Sequence, residues 1–208
     1  MQPIRVPPSA PARLVVLASG TGSLLEAVLA AATADYPARV VAVGTDRDCR
    51  AAQVAADAGL PVFTARLGDH RDRAAWDAAL TEAAAAHRPD LVVSAGFMKL
   101  LGPQFLSRFL GRVVNTHPAL LPAFPGTHAV RDALDYGVKL TGCTVHLVDS
   151  GVDTGPVLAQ QSVAVLDDDD EATLHERIKV VERALLVDVV AGLANGGVTW
   201  AGRKAIVG

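Results

Sequence analysis

Apolar residues along this chain come in short runs, and each run is followed by glycine or proline and then by a stretch with helical spacing. Residues 14–18 (Leu-Val-Val-Leu-Ala) form such a run, followed by Ser19-Gly20-Thr21-Gly22-Ser23 and a periodic apolar stretch to about residue 32. That pattern predicts strand, glycine loop and helix. The same alternation predicts strands over 40–44, 61–64, 91–95 and 112–115. Helices are expected over 50–58, ended by Gly59, and over 71–87, closed by Pro89. Further on, 127–136 reads as a helix stopped by Gly137, and 173–192 as a last long helix. Residues 141–148 and 157–165 read as longer strands, antiparallel at one edge, and 198–207 as a small hairpin.

Strands and helices in this alternation predict an α/β fold, a single doubly wound, mostly parallel sheet flanked by helices. No repeat or interior linker interrupts it, so residues 13–208 are expected to form one domain. Residues 1–12 are proline-rich and non-periodic, and read as a loosely ordered arm. Half of the 208 residues are hydrophobic, chiefly Ala, Val and Leu, with only 4% aromatic, a composition suited to buried parallel strands under Ala-rich helices. Net charge is −3 and no basic stripe appears, which argues against nucleic acid as a partner. No apolar run reaches membrane-spanning length and the start lacks a leader pattern, so no membrane is expected. Cys49 and Cys143 lie far apart, which disfavours a disulfide framework or Cys-based zinc site and fits a reducing cytoplasm. The histidines show no metal-ligand spacing, and the acidic run 167–171 reads as a solvated loop opening a helix, so no metal is expected.

The candidate chemistry gathers at strand ends, where α/β proteins place it. Asn115 and His117 close the strand that ends at about residue 115, two residues apart, so alternation directs both to one side. A proline-rich loop follows, and Asp153 sits in a second strand-end loop. An amide to hold an oxyanion, an imidazole to move protons and a carboxylate to orient the imidazole are what acyl transfer to an amine requires. A plain hydrogen-bonded turn before Pro118 is the simpler reading of the same residues. The loop Gly20-Thr21-Gly22-Ser23-Leu24 is either a backbone cradle for a phosphate at a helix N-terminus or a tight turn; its spacing does not fit a dinucleotide.

Asn115-x-His117-Pro118-x-Leu120-Leu121-Pro122, then Pro125-Gly126, then Asp153-x-Gly155-Pro156, resembles the folate-dependent formyltransferases over residues 13–190 or so. The resemblance implies the formyltransferase fold with a Rossmann-like N-terminal half. It also implies transfer of the formyl group of 10-formyltetrahydrofolate, as co-substrate, to the amine of glycinamide ribonucleotide in purine synthesis. By resemblance His117 is the acid/base, Asn115 holds the formyl oxygen and Asp153 pairs with the imidazole. Gly20, Thr21, Gly22, Ser23 and Leu24 would meet the nucleotide phosphate, with Leu24 standing where the family usually has asparagine. Lys179 and Glu182 would meet the rest of the nucleotide. The folate would meet Arg73, Met98, Lys99, Leu100, Leu101, Asn115, Val148, Asp149, Ser150, Gly151, Val152 and Asp153. Solvated helix faces for Arg73 and Glu182, helix-start packing for Met98–Leu101 and an Asp-capped turn for Asp149–Asp153 are the simpler alternatives. Partners would be these two small molecules, with the oligomeric state open between monomer and homodimer. The rivals are a formyltetrahydrofolate hydrolase, an amino-sugar or methionyl-tRNA formyltransferase, and a non-catalytic folate- or nucleotide-binding module.

Overall fold

The computed structural model describes residues 10–208 together with the backbone of Gln2–Ile4. The described strands are β1 (Gln2–Ile4), β2 (Ala12–Ala18), β3 (Ala38–Thr45), β4 (Val62–Thr64), β5 (Leu91–Ser94), β6 (Val113–His117), β7 (Leu140–Leu147), β8 (Val157–Ala164), β9 (Val198–Ala201) and β10 (Lys204–Val207). The helices are α1 (Ser23–Ala31), α2 (Arg50–Asp57), α3 (Arg73–Ala86), α4 (Pro103–Arg108), α5 (Ala129–Tyr136) and α6 (Glu171–Gly196).

All ten strands join one sheet in the order β1-β9-β10-β8-β7-β6-β5-β2-β3-β4. The run β4-β3-β2-β5-β6 is parallel throughout. Its central strand, β2, alternates between two cores. Leu14, Val16 and Ala18 pack with residues of α1, α2 and α6, while Val15 and Leu17 pack with Trp76, Leu80, Phe105 and Phe109 of α3 and α4. Burial on both faces explains why the strand is a continuous apolar run. The chain winds outward from β2 to β3 and β4, then crosses back to β5 and β6. The switch between these directions opens a crevice at the C-terminal ends of β2 and β5.

Several expectations are corrected. Gln2–Ile4 pairs antiparallel with β9, and Ala12 begins β2 fully buried, so the expected loose arm of residues 1–12 is partly ordered; residues 1 and 5–9 lie outside the described residues. The antiparallel pair β7–β8 lies inside the sheet, because the β9–β10 hairpin and β1 continue it beyond β8. Helix α6 runs through Gly192 to Gly196. Gly192 serves close packing there: a Cβ would stand 2.7 Å from Val207 Cγ1. The short helix α4, absent from the periodicity, is capped from a distance: the buried Asp77 carboxylate accepts from the N–H groups of Gly102 (3.1 Å) and Gln104 (2.8 Å). Among the described residues no helix is long and apolar enough to cross a membrane.

Helix α6 carries two of the candidate site residues, and its start is clasped twice. Asp170 and Thr173 form a reciprocal capping box. Asp169 accepts from both terminal nitrogens of Arg177 at 2.7 Å and from the Leu166 N–H at 2.7 Å. The Arg177 pairing, against the opposing effect of burial, pushes the Asp169 carboxyl down to about 2. A folded-state value below the ordinary one stabilises the fold at pH above the ordinary carboxylate range, and the contribution is lost as pH falls through the folded value. Asp169→Asn is therefore expected to unfold at lower urea concentration than the parent at neutral pH, with the gap closing as pH approaches about 2. A gap that does not narrow with acid would show that the charge is not what clasps the helix.

Candidate active site

A cavity of about 510 Å³ occupies the crevice. It is lined by the glycine loop after β2, the 94–101 segment after β5, the end of β6, the 146–153 segment after β7, and one face of α6. Every residue singled out from the sequence lines it, apart from Arg73.

The glycine loop is shaped by Gly22, which caps α1 with φ of 80°, a left-handed conformation that glycine adopts without strain. A Cβ there would also stand 3.0 Å from the Ala51 Cα. The loop is braced from behind: Arg50 Nη1 donates to the Thr21 carbonyl (2.9 Å) and the Ala51 N–H to the Gly20 carbonyl (3.1 Å). First-turn N–H groups of a helix have no partner within it, and Ser23 and Leu24, which begin α1, line the cavity. The Leu24 side chain is buried in the core beside Leu25 and Val28. An asparagine there would add a polar side chain where this chain has an apolar one.

On the opposite wall, Met98 and Leu100 are largely exposed at the mouth. Arg73 stands behind this wall. It stacks over Trp76 and donates to the Leu100 carbonyl, so it shapes the segment from outside the cavity. The 148–153 loop closes the third side, turned by Asp149, whose Oδ1 accepts from the Gly151 N–H (3.0 Å) and the Thr154 hydroxyl (2.6 Å).

The floor is polar. Asp153, in left-handed backbone (φ 54°), places its carboxylate between two imidazoles: Oδ2 lies 3.3 Å from His117 Nδ1 and Oδ1 lies 3.6 Å from His146 Nε2. Its Oδ2 also accepts from the Gly126 N–H at 2.8 Å. Burial pushes the Asp153 carboxyl up, but the His146 hydrogen bond, the Gly126 N–H and the two neighbouring imidazoles outweigh it and hold the group below the ordinary carboxylate value. His117 Nε2 lies 2.7 Å from the Phe124 carbonyl, so both its nitrogens face protein acceptors. His146 Nδ1 donates to the Leu147 carbonyl (2.9 Å), which turns Nε2 toward the Asn115 amide nitrogen at 3.2 Å. Asn115, His146, Asp153 and His117 thus form one continuous polar chain.

His146 was legible only as an unassigned histidine. The signal for it is the antiparallel β6–β7 register, which sets His146 opposite Asn115 and Thr144 opposite His117. Thr144 then fixes the loop beyond His117, accepting from the Leu121 N–H (3.0 Å) and donating to the Ala119 carbonyl (2.7 Å). On α6, His175, Lys179 and Glu182 share the face that lines the cavity. Lys179 pairs with Glu176 at 2.7 Å. Glu182 is 6% exposed, and burial raises its pKa against the opposing Thr116 hydrogen bond and the Lys179 and Arg183 charges.

A buried carboxyl whose folded-state value is raised costs stability as pH rises from its ordinary value toward the raised one, and fully above it, because ionising it is harder in the fold than in the open chain. Glu182→Gln removes the ionisation and keeps the shape. It is expected to raise the unfolding temperature at neutral pH by roughly 2–4 °C, with the gain shrinking as pH falls through the raised value and gone below the ordinary glutamate range. An unfolding temperature lowered at neutral pH would mean that Glu182 is a net stabiliser of the fold.

Comparison with known proteins gives a consistent result. The formyl transferase family model matches residues 12–190. A phosphoribosylglycinamide formyltransferase of Mycobacterium tuberculosis (strain ATCC 25618 / H37Rv) is 74% identical over 207 residues, covering 100% of this chain and 96% of that protein. Glycinamide ribonucleotide transformylase 1 from Symbiobacterium toebii superposes with a TM-score of 0.92 at 39% identity, covering 94% of this chain and 93% of that one. A formyltetrahydrofolate deformylase from Pseudomonas syringae pv. tomato superposes at 0.88 but is 24% identical, covering 96% of this chain and 66% of that one; at that distance it speaks to the fold alone. The chain belongs to the formyl transferase family.

Proposed function

We propose that this chain transfers the formyl group of 10-formyltetrahydrofolate to the amine of N1-(5-phosphoribosyl)glycinamide, releasing tetrahydrofolate and formylglycinamide ribonucleotide, a step of purine (IMP) synthesis in the cytoplasm. The observation that carries this reading is the Asn115–His146–Asp153–His117 chain on the floor of a cavity with two unlike ends. One end is an anion cradle at the α1 N-terminus beside Lys179 and Glu182, suited to a phosphorylated nucleotide. The other is the apolar mouth of Met98, Leu100 and Val152, suited to a flat pterin and its aryl extension. The 74% identity to a protein of that name over the whole chain supports the same assignment.

In this reading the nucleotide amine attacks the formyl carbon, and the carbonyl oxygen gains negative charge. The Asn115 amide donates to it, and the positive charge of the nearby His117 ring, whose two nitrogens face Asp153 and the Phe124 carbonyl, stabilises it through space. Asp153 holds the His117 ring in orientation and stabilises its positive charge from 3.3 Å. The tetrahedral intermediate collapses with cleavage of the bond to the folate nitrogen. The amine loses one proton and that nitrogen gains one, so no net proton is consumed. Glu182, buried at the nucleotide end, supplies an acceptor for the glycinamide portion. The functional residues of this reading are the chain's own side chains and no metal is assigned a role.

The test is an assay of the purified chain with both substrates and with the amine omitted. Formyl transfer dependent on the nucleotide is expected, and rapid water-driven release of formate without it would favour a hydrolase instead. His117→Ala and Asp153→Asn should each fold, bind both ligands and lose about 10²–10⁴-fold in turnover. A folded His117→Ala protein with near-parental turnover would remove the imidazole from the mechanism.

A further inference from the structure

Asp46 does not line the cavity, yet its carboxylate is enclosed at the end of β3 and gathers contacts from both sides of the site. Arg47 grips it with two hydrogen bonds (3.1 and 2.8 Å), and Lys99 Nζ stands 3.6 Å away. Ser19, buried at the end of β2, adjoins it; burial pushes the carboxyl up, but Arg47 and Ser19 help hold it below its ordinary value. Ser19 in turn ties down the segment that opens the apolar wall: its N–H donates to the Gly96 carbonyl (3.2 Å), and its Oγ accepts from the Met98 N–H (2.8 Å). Met98 is therefore held through its backbone by Ser19, and Lys99 through its ammonium by Asp46, two neighbouring groups at adjacent strand ends. The residues just beyond Asp46 serve the other subsite, since Arg50 and Ala51 brace the glycine loop through the Thr21 and Gly20 carbonyls.

We propose that Asp46 is a positioning residue for the formyl donor, fixing the Met98–Leu101 wall through Lys99, alongside Ser19, without touching the ligand. This rests on reading the cavity as a two-substrate site. Lysine has a long, flexible stem, and without its carboxylate partner Lys99 would range over many rotamers at the edge of the donor subsite. Arg50, four residues along, plays the matching part for the nucleotide.

Asp46→Asn keeps the shape but removes the charge that holds Lys99. Arg47 and Lys99 are both partly exposed and can be rehydrated, so the variant is expected to fold. Initial rates are measured with each substrate varied, and tetrahydrofolate binding is followed by calorimetry. Asp46→Asn should raise the donor KM and the tetrahydrofolate Kd by about tenfold. Its kcat and nucleotide KM should stay within roughly twofold of the parent. Arg50→Met should do the reverse, raising the nucleotide KM and sparing the donor KM. Ser19→Ala should follow Asp46→Asn on the donor side, and it decides the matter if Asp46→Asn does not fold.

The proposal is overturned if the donor KM and tetrahydrofolate Kd stay within roughly twofold of the parent in a folded variant. It is equally overturned if kcat and both KM values deteriorate together. A parent chain that binds tetrahydrofolate but transfers no formyl group would instead overturn the proposed function, leaving the calorimetric comparison to judge Asp46 by itself.

Discussion

A carboxylate enclosed between two imidazoles is the constraint around which this site is built. Asp153 is costly where it stands: it is mostly buried, and its backbone lies in the left-handed region, which a non-glycine residue seldom adopts. What makes the position tenable is the surroundings of its oxygens: Oδ2 accepts from the Gly126 N–H and faces His117, and Oδ1 stands 3.6 Å from His146. Those partners come from three separate segments. The sheet must bring β6 and β7 into register, the loop after His117 must return to place Gly126, and the turn after β7 must bend back sharply. Tertiary structure and the geometry of this polar cluster are in this sense the same requirement.

The sheet supplies this in two halves of different character. The parallel half, wound in both directions from β2, produces the crevice and its helix N-terminus, and it is buried on both faces. The antiparallel half, entered at β6–β7, supplies direct cross-strand pairing, so that side chains on adjacent strands stand opposite one another. The glycine loop belongs to the first half and the polar chain to both, with Asn115 and His117 on the last parallel strand and His146 on the first antiparallel one. Helix α6 packs against the sheet and presents Glu182 across the join.

How much of this was legible in the sequence depended on whether the signal was local. The apolar runs of β2, β5 and β6, the glycine loop and the strand-end placement of Asn115, His117 and Asp153 are short-range features, and the fold places them as the sequence led one to expect. Contacts between distant segments were not legible. His146 joins the site through a pairing 31 residues away, and Asp77 caps α4 from another helix, so no local pattern announces either. Arg73 illustrates the opposite limit. A contact with the folate was implied for it by resemblance, yet it does not line the cavity, and its guanidinium holds the Leu100 carbonyl from behind. Gly192 shows how a residue that ends helices in isolation is retained inside one when Val207 needs the space.

The β6–β7 pairing also governs which changes in chain length the protein can absorb. A slip of one residue would turn His146 to the other face of the sheet and separate it from Asn115 and Asp153 together. The excursion between the two strands, which includes α5, is under a different rule: its first part is pinned by Thr144 and by Gln160, whose amide donates to the Leu121 carbonyl, α5 then packs Val130 and Ala133 into the core, and the turn from Tyr136 to Lys139 is largely exposed. Insertions near Tyr136–Lys139 leave both anchors in place. The same number of residues added within the paired strands would dismantle the site while preserving most of the core, so this enzyme's tolerance to insertion is set by hydrogen-bond register more than by distance from the cavity.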